Sequence, residues 1–341
     1  MVTGPLPTPT SGEPADRVRA TLALGRADRP PAAWWGHTYR EEWSPRDLAS
    51  VTADRQRRFG WDFVKLQPRA TCFAEAFGSR YRPSGRPDEG PRLVRPAVRS
   101  DEDWPSLPEV DAQVPALAEQ VDALRLVVEE AGPTVPVLQT VFSPLTVAGY
   151  LVGEERMKAV SDLRRLEEVM VPALDRIAQT LGDFVRRSIE AGAAGIFYAI
   201  SGYASADVLA LEEYQRLALP SDVTVLRSIA PRGWFNVLHL CGPRIHFELA
   251  RELPADAVSW SIHEPGNPTL AQGRDASGRA AMGGLDQSRT LTEGSVAAVE
   301  REARAAVGDT NGEGLLLAPG CSVPPTAPDA NLAAMMEAAT M

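Results

Sequence analysis

Three side chains in this sequence have the types and spacing to share one metal ion. The apolar run 234–242 carries His239 and Cys241 two residues apart, and the run 315–321 ends on Cys321 after a Pro-Gly turn. Alternation in an extended chain puts Phe235, Val237, His239 and Cys241 on one face, so an imidazole and a thiol project together where the strand stops. Two thiolates and an imidazole suit a borderline-soft ion such as zinc, and three protein ligands leave a coordination position open, as catalytic zinc requires. Taken singly, each of these residues reads as ordinary core, because free cysteine is among the most buried residue types. The expectation rests on the three together. Glu264 follows an apolar run directly and is the expected fourth ligand at rest, since a carboxylate there can leave when a thiol arrives; His263 is the competing choice. Cys72 lies in a helical context and reads as core, and His246 as either support for the ligands or a helix-surface residue.

Eight short apolar segments could carry these side chains. They are 32–37, 62–66, 135–140, 195–200, the His239/Cys241 run, 257–262, 280–284 and 315–318, with helical periodicity between most of them. Ser44-Pro45 and Ser143-Pro144 are helix starts, with a serine cap and a proline in the first turn. The pattern predicts an α/β protein: a single (β/α)8 TIM barrel over residues 16–341, preceded by an irregular N-terminal extension with a flexible tail at 1–15. Residues 79–115, dense in Pro, Arg, Gly and Asp, read as a long surface excursion. Barrel chemistry sits where strands end, which directs His37, Gln139, Tyr203, His239, Cys241, Glu264, Asp286 and Cys321 to one mouth.

Composition removes several classes of function. The 341 residues carry a net charge of −10, which gives no pull toward nucleic acid or an anionic membrane. No apolar run approaches a membrane-spanning length and the N-terminus lacks a signal-peptide pattern, so the expected location is cytoplasmic. Three cysteines are too few for a disulfide framework and fit a reducing compartment where thiols can bind metal. Lysine occurs only at Lys65 and Lys158, which reads as compositional bias rather than chemistry.

The motifs His239-Leu-Cys-Gly242, Gly283-Gly-Leu-Asp286, and Ala318-Pro-Gly-Cys321 followed by residues 326–332 carry a resemblance. The sequence resembles the uroporphyrinogen decarboxylase superfamily, and more closely its zinc branch, the methylcobalamin:thiol methyltransferases of the coenzyme M type. The resemblance implies zinc on His239, Cys241 and Cys321. It also implies a small-molecule thiol as acceptor, with methylcobalamin or a corrinoid protein as methyl donor. It makes Asp286 a substrate contact, to which Tyr203 and Gln139 are added by their places at strand ends, and sets His37 and Tyr39 where the decarboxylases carry arginines for substrate carboxylates. The stretch 34–39 has no arginine, and the decarboxylase aspartate that holds pyrrole nitrogens aligns near Arg69. Decarboxylation of a tetrapyrrole or another acid is the second expectation. A non-enzymatic zinc- or corrinoid-binding partner protein is the third.

Overall fold

The computed structural model describes residues 12–153, 156–229 and 233–340. In chain order the elements begin with Pro14–Leu22 (α1), Pro45–Phe59 (α2), Val64–Leu66 (β1), Cys72–Ala76 (α3), Arg80–Arg82 (β2) and Arg92–Arg95 (β3). Pro115–Ala131 (α4), Val137–Phe142 (β4), Pro144–Leu151 (α5), Arg156–Arg165 (α6), Glu167–Glu190 (α7) and Gly195–Ile200 (β5) follow. Leu211–Leu217 (α8), Leu219–Leu226 (α9), Val237–Leu240 (β6), Leu249–Glu252 (α10), Ala257–Ser259 (β7) and Leu270–Ser277 (α11) come next. Ala280–Leu285 (β8), Val296–Thr310 (α12), Leu315–Pro319 (β9) and Asp329–Ala338 (α13) complete the chain.

Seven parallel strands form one sheet in the order β1-β4-β5-β6-β7-β8-β9. The expected first strand at 32–37 is reduced to one bridge, between Ala32 and Leu317. That short extended piece still closes the barrel. Leu317 N donates to Pro31 O (2.9 Å) and Ala33 N to Leu317 O (3.2 Å), while on the other side Asp62 N donates to Ala32 O (3.0 Å). Asp62 locks the junction, because its carboxylate also accepts from Ala32 N, Arg17 and Arg29. The barrel is therefore eight-staved, with one stave a single residue wide in its ladder.

Helix boundaries follow local chemistry. Ser44 Oγ accepts from Asp47 N at the start of α2, Pro45 opens the helix, and Gly60 ends it at φ 64, a left-handed value that glycine adopts without strain. The end of the expected tail at 1–15 is structured: α1 begins at Pro14, and Ala15 N is tied to Thr134 O (2.9 Å). Residues 1–11 lie outside the described residues. The 79–115 stretch is not all surface either. It contains the β2–β3 hairpin and buries Val98, Trp104 and Leu107, with Trp104 Nε1 donating to Asp162 (3.2 Å). Single apolar anchors spaced among Pro, Arg and Gly give no periodic signal, so composition alone hid them.

Neighbours in a parallel ladder face the same way, and this decides what lines the barrel. Register pairs Ala199 with His239, His239 with Ser259, and Ser259 with Met282, while Phe197 pairs with Val237 one layer below. The outer face of β5 packs on helices instead. There Tyr198 and the α8 residue Tyr214 both donate to Asp222 of α9, at 2.6 and 2.7 Å, and all three side chains are fully buried.

Candidate metal centre

β6 runs Val-Leu-His-Leu, its inward positions fill the barrel, and the chain leaves the sheet at Cys241. β9 ends at Pro319, and Gly320 turns the chain so that Cys321 faces back toward β6. A Cβ at Gly320 would lie 2.6 Å from the Ser261 Cβ and 2.7 Å from its Cα, so no larger residue passes there without displacing the turn. The outcome is a cluster of three potential ligands, with one donor atom each from His239, Cys241 and Cys321 all within 4.8 Å of one another. The two sulfurs are 3.9 Å apart, across 80 residues of sequence. A tetrahedral zinc with Zn–S bonds of about 2.3 Å sets two sulfur ligands about 3.8 Å apart, so the donor set and its spacing fit that ion.

The surroundings prepare these donors. His239 Nδ1 is 3.1 Å from Ser259 Oγ, which leaves Nε2 for the cluster. That is the outer partner a metal-binding imidazole normally needs to fix its ring and tautomer. The Phe197 ring lies 5.1 Å from the His239 ring and walls it off. The Cys321 thiol is held well below the usual thiol range by the Cys241 sulfur beside it and by His239 and the Ser322 amide, against the opposing effect of burial.

A cation completes the site, and sequence reasoning passed over it. Lys65, on β1, is 5% exposed; its Nζ sits 4.9 Å from the Phe197 ring centroid and 5.8 Å from that of Trp35, and donates to Gln67 Oε1. Burial lowers its pKa to about 7, while the negative charges of Cys321 and Glu42 pull it back up. Compositional bias accounts for the scarcity of lysine but not for a lysine buried at this place. The available signal was a lysine, one of only two in the chain, inside an apolar strand. Gln67 continues the network: it accepts from Ser322 Oγ (3.4 Å) and donates Nε2 to His37 Nε2 (3.0 Å). His37 must then carry its proton on Nδ1, which lies 2.8 Å from Glu42 Oε1. The expected substrate contact His37 is thus linked to the residue after Cys321, and Tyr39 stacks on it with ring centroids 4.7 Å apart.

Other expected site residues go elsewhere. Gln139 pairs with Leu66 and Ile196, and adjacent Thr140 with Phe197, so alternation turns Gln139 toward the helices and away from the barrel interior. It is fully buried with its Oε1 unpartnered, a correction to its placement at the mouth. Tyr203 packs its hydroxyl against Gly149 of α5. Asp286 is a turn cap: it accepts from Ser288 N (2.9 Å), Arg289 N (2.8 Å) and Arg289 Nε (2.7 Å). Burial raises its pKa, but those bonds outweigh burial and hold it below the ordinary carboxylate value. Glu264 lies in the turn after β7, outside the set of mutually close ligand atoms. His263 is engaged by Gly284 O (3.1 Å) and Glu302 (3.2 Å). His246 is buried with Nε2 2.7 Å from Leu209 O, so it is neither on a helix surface nor bonded to a ligand through that nitrogen. Cys72 is fully buried core, as expected. Arg69 is locked by Glu75 (3.0 Å) and lies over the Trp43 ring at 4.3 Å.

Comparison with known proteins follows the same lines. The family model described as "Uroporphyrinogen decarboxylase (URO-D)" matches residues 36–341. The methylcobamide:CoM methyltransferase MtaA of Methanosarcina barkeri (strain Fusaro) is 25% identical over 335 residues, covering 96% of this chain and 94% of that protein. A uroporphyrinogen decarboxylase of Streptomyces griseus is 30% identical over 216 residues, covering 59% of this chain and 54% of that protein. Among solved structures, a methyltransferase from Methanosarcina mazei superposes with a TM-score of 0.82 at 21% identity, covering 96% of this chain and 98% of its own. Among the described residues no helix is long and apolar enough to cross a membrane.

Proposed function

Starting from a chain that belongs to the uroporphyrinogen decarboxylase family, we propose that it is a zinc-dependent methyl- or alkyltransferase with a small-molecule thiol as acceptor. Methylcobalamin, free or on a corrinoid protein, serves as the donor. The observation that carries this reading is the meeting of His239, Cys241 and Cys321 within 4.8 Å. A methylcobamide-using relative of nearly equal extent supports the donor class.

Zinc bound there would hold an incoming thiol as thiolate near neutral pH, where a free thiol, with a pKa of about 8.5, is mostly protonated. The chain's own residues do the rest. Ser259 orients the imidazole, and two cysteine thiolates keep the bound sulfur electron-rich in place of the histidine-rich set that acidifies water. Phe197 and Trp35 exclude water on the barrel side. The Lys65 ammonium, when charged, offsets the excess negative charge of three thiolates around a divalent ion. With that ion and a methyl donor bound, the substrate sulfur would form a bond to the methyl carbon as the donor's bond to that carbon breaks and its electron pair stays with the donor.

The test is metal analysis of the purified protein, followed by thiol-dependent demethylation of methylcobalamin read from the cobalamin spectrum. We expect zinc that is removable by chelator, and spectral conversion only when zinc and a thiol are both present. Protein without zinc, or conversion unaffected by its removal, overturns the reading.

A further inference from the structure

The β2–β3 hairpin contradicts an elementary rule of sheet pairing. Its register sets Arg80 opposite Arg95 and Arg82 opposite Arg92, with Tyr81 opposite Leu93 between them. Like charges directly opposed in an antiparallel pair are destabilising, and a hairpin of two strands has little stability to spare. The shift in register between Arg80 and Tyr81 makes room for Val94 as an extra residue, so Arg95 comes to share a face with Arg80. Tyr81 turns inward and donates to Tyr150 O (3.1 Å), and Leu93 reaches Gly153. The four arginines therefore share the outer face, and all are exposed. Among the described residues Arg80, Arg82 and Arg95 form no ion pair, whereas Arg92 is paired with Glu89 at 3.0 Å. Residues 79–99 hold six arginines against two acids, in a chain of net charge −10.

The hairpin also stands at the mouth. Its loop residue Gly90 lies against the Tyr39 ring, Tyr39 stacks on His37, and His37 connects through Gln67 to Ser322, beside Cys321. A local conflict kept next to a site points to an occupant that relieves it. Arg80 borders a cavity lined also by Arg69, Glu75 and Glu119, and the exposed row continues through Arg82, Arg92 and Arg95 along the strand face, an extent that suits an acidic surface better than a small anion. Val94, the extra residue of the bulge between Leu93 and Arg95, is 57% exposed beside them, and an exposed apolar side chain is what a protein interface uses and a hydrophilic ion does not. The acidic remainder of this chain would repel such a partner everywhere else and steer it to this face.

We propose that the outer face of the β2–β3 hairpin docks the acidic surface of the protein that carries the methylated corrinoid, seating it over the barrel mouth. This rests on the methyltransferase reading for the partner's identity, but not for the surface. The probe is one cobalamin-binding domain loaded with methylcobalamin, made in two forms: with a glutamate-rich face, and with those glutamates changed to glutamine. At low salt the wild-type chain should use the acidic form with a kcat/KM about tenfold or more above the neutral form, as electrostatic steering gives. That preference should vanish in 0.5 M salt and in the Arg82→Glu/Arg95→Glu variant, with Arg82→Gln/Arg95→Gln in between. Zinc content and the rate with free methylcobalamin should not change. Equal discrimination by wild type and variant overturns the proposal, as does dT20 or a phosphatidylserine vesicle binding at 0.15 M salt when the acidic domain does not. If free methylcobalamin is never demethylated, the methyltransferase reading falls instead. The docking surface is then judged by the dissociation constants of the two domains for wild type and variants.

Discussion

Asp222 gives the most quantitative forecast. Its carboxyl is fully buried between β5 and the α8–α9 pair, and burial raises its pKa to about 7 from 3.8, against the hydrogen bonds from Tyr198 and Tyr214. Below about pH 4 the group is protonated whether the chain is folded or not, and costs nothing. Between pH 4 and 7 only the folded state keeps the proton. Each pH unit climbed there removes about 1.4 kcal/mol of stability, and above pH 7 the loss is complete at about 4 kcal/mol. Asp222→Asn preserves the volume and can still accept from a phenol, but cannot ionise. Urea unfolding of both proteins from pH 4 to 8 isolates the effect, because every other group titrates alike in the two. The variant's stability relative to wild type should rise steadily up to pH 7, by as much as about 4 kcal/mol, and then level off. A difference that stays constant over the whole range would refute the reasoning. Tyr198→Phe offers a cross-check: deleting a donor to the carboxylate should push the transition to higher pH.

Three further outcomes are expected. Ser259→Ala frees His239 Nδ1 and should weaken zinc binding about 10- to 100-fold, measured by chelator competition, with the fold intact by circular dichroism. Gly320→Ala drives a methyl group into Ser261, at a cost of about 1–3 kcal/mol in thermal or chemical denaturation, and should lower zinc content because Cys321 is the next residue. Arg95→Glu replaces a like-charged pair opposite Arg80 with an opposite-charged one and should raise stability by about 0.2–1 kcal/mol in urea titrations. A loss of stability there would show that the arginine ladder is no electrostatic conflict.

What the chain determined by itself was periodic or tied to one residue type. Alternation in the 234–242 run placed His239 and Cys241 on one face, and the spacing of apolar segments gave the α/β barrel, because strand period and cap chemistry are local properties. The serine caps at Ser44 and Ser143 are local for the same reason. Only the tertiary structure decided which faces meet. Gln139 belongs to a predicted strand, but its turn toward the helices depends on register with β1 and β5, and a shift of one residue reverses every side chain. Asp286 could have served a substrate and His263 a metal ion, yet the fold uses them on Arg289 and Glu302, partners no spacing rule supplies. Lys65 looked like a compositional accident until the barrel closed around it. A strand shows only that its side chains alternate; the ring of neighbouring strands decides what each one faces, and here it set a buried lysine on the Phe197 ring that packs against the His239 imidazole.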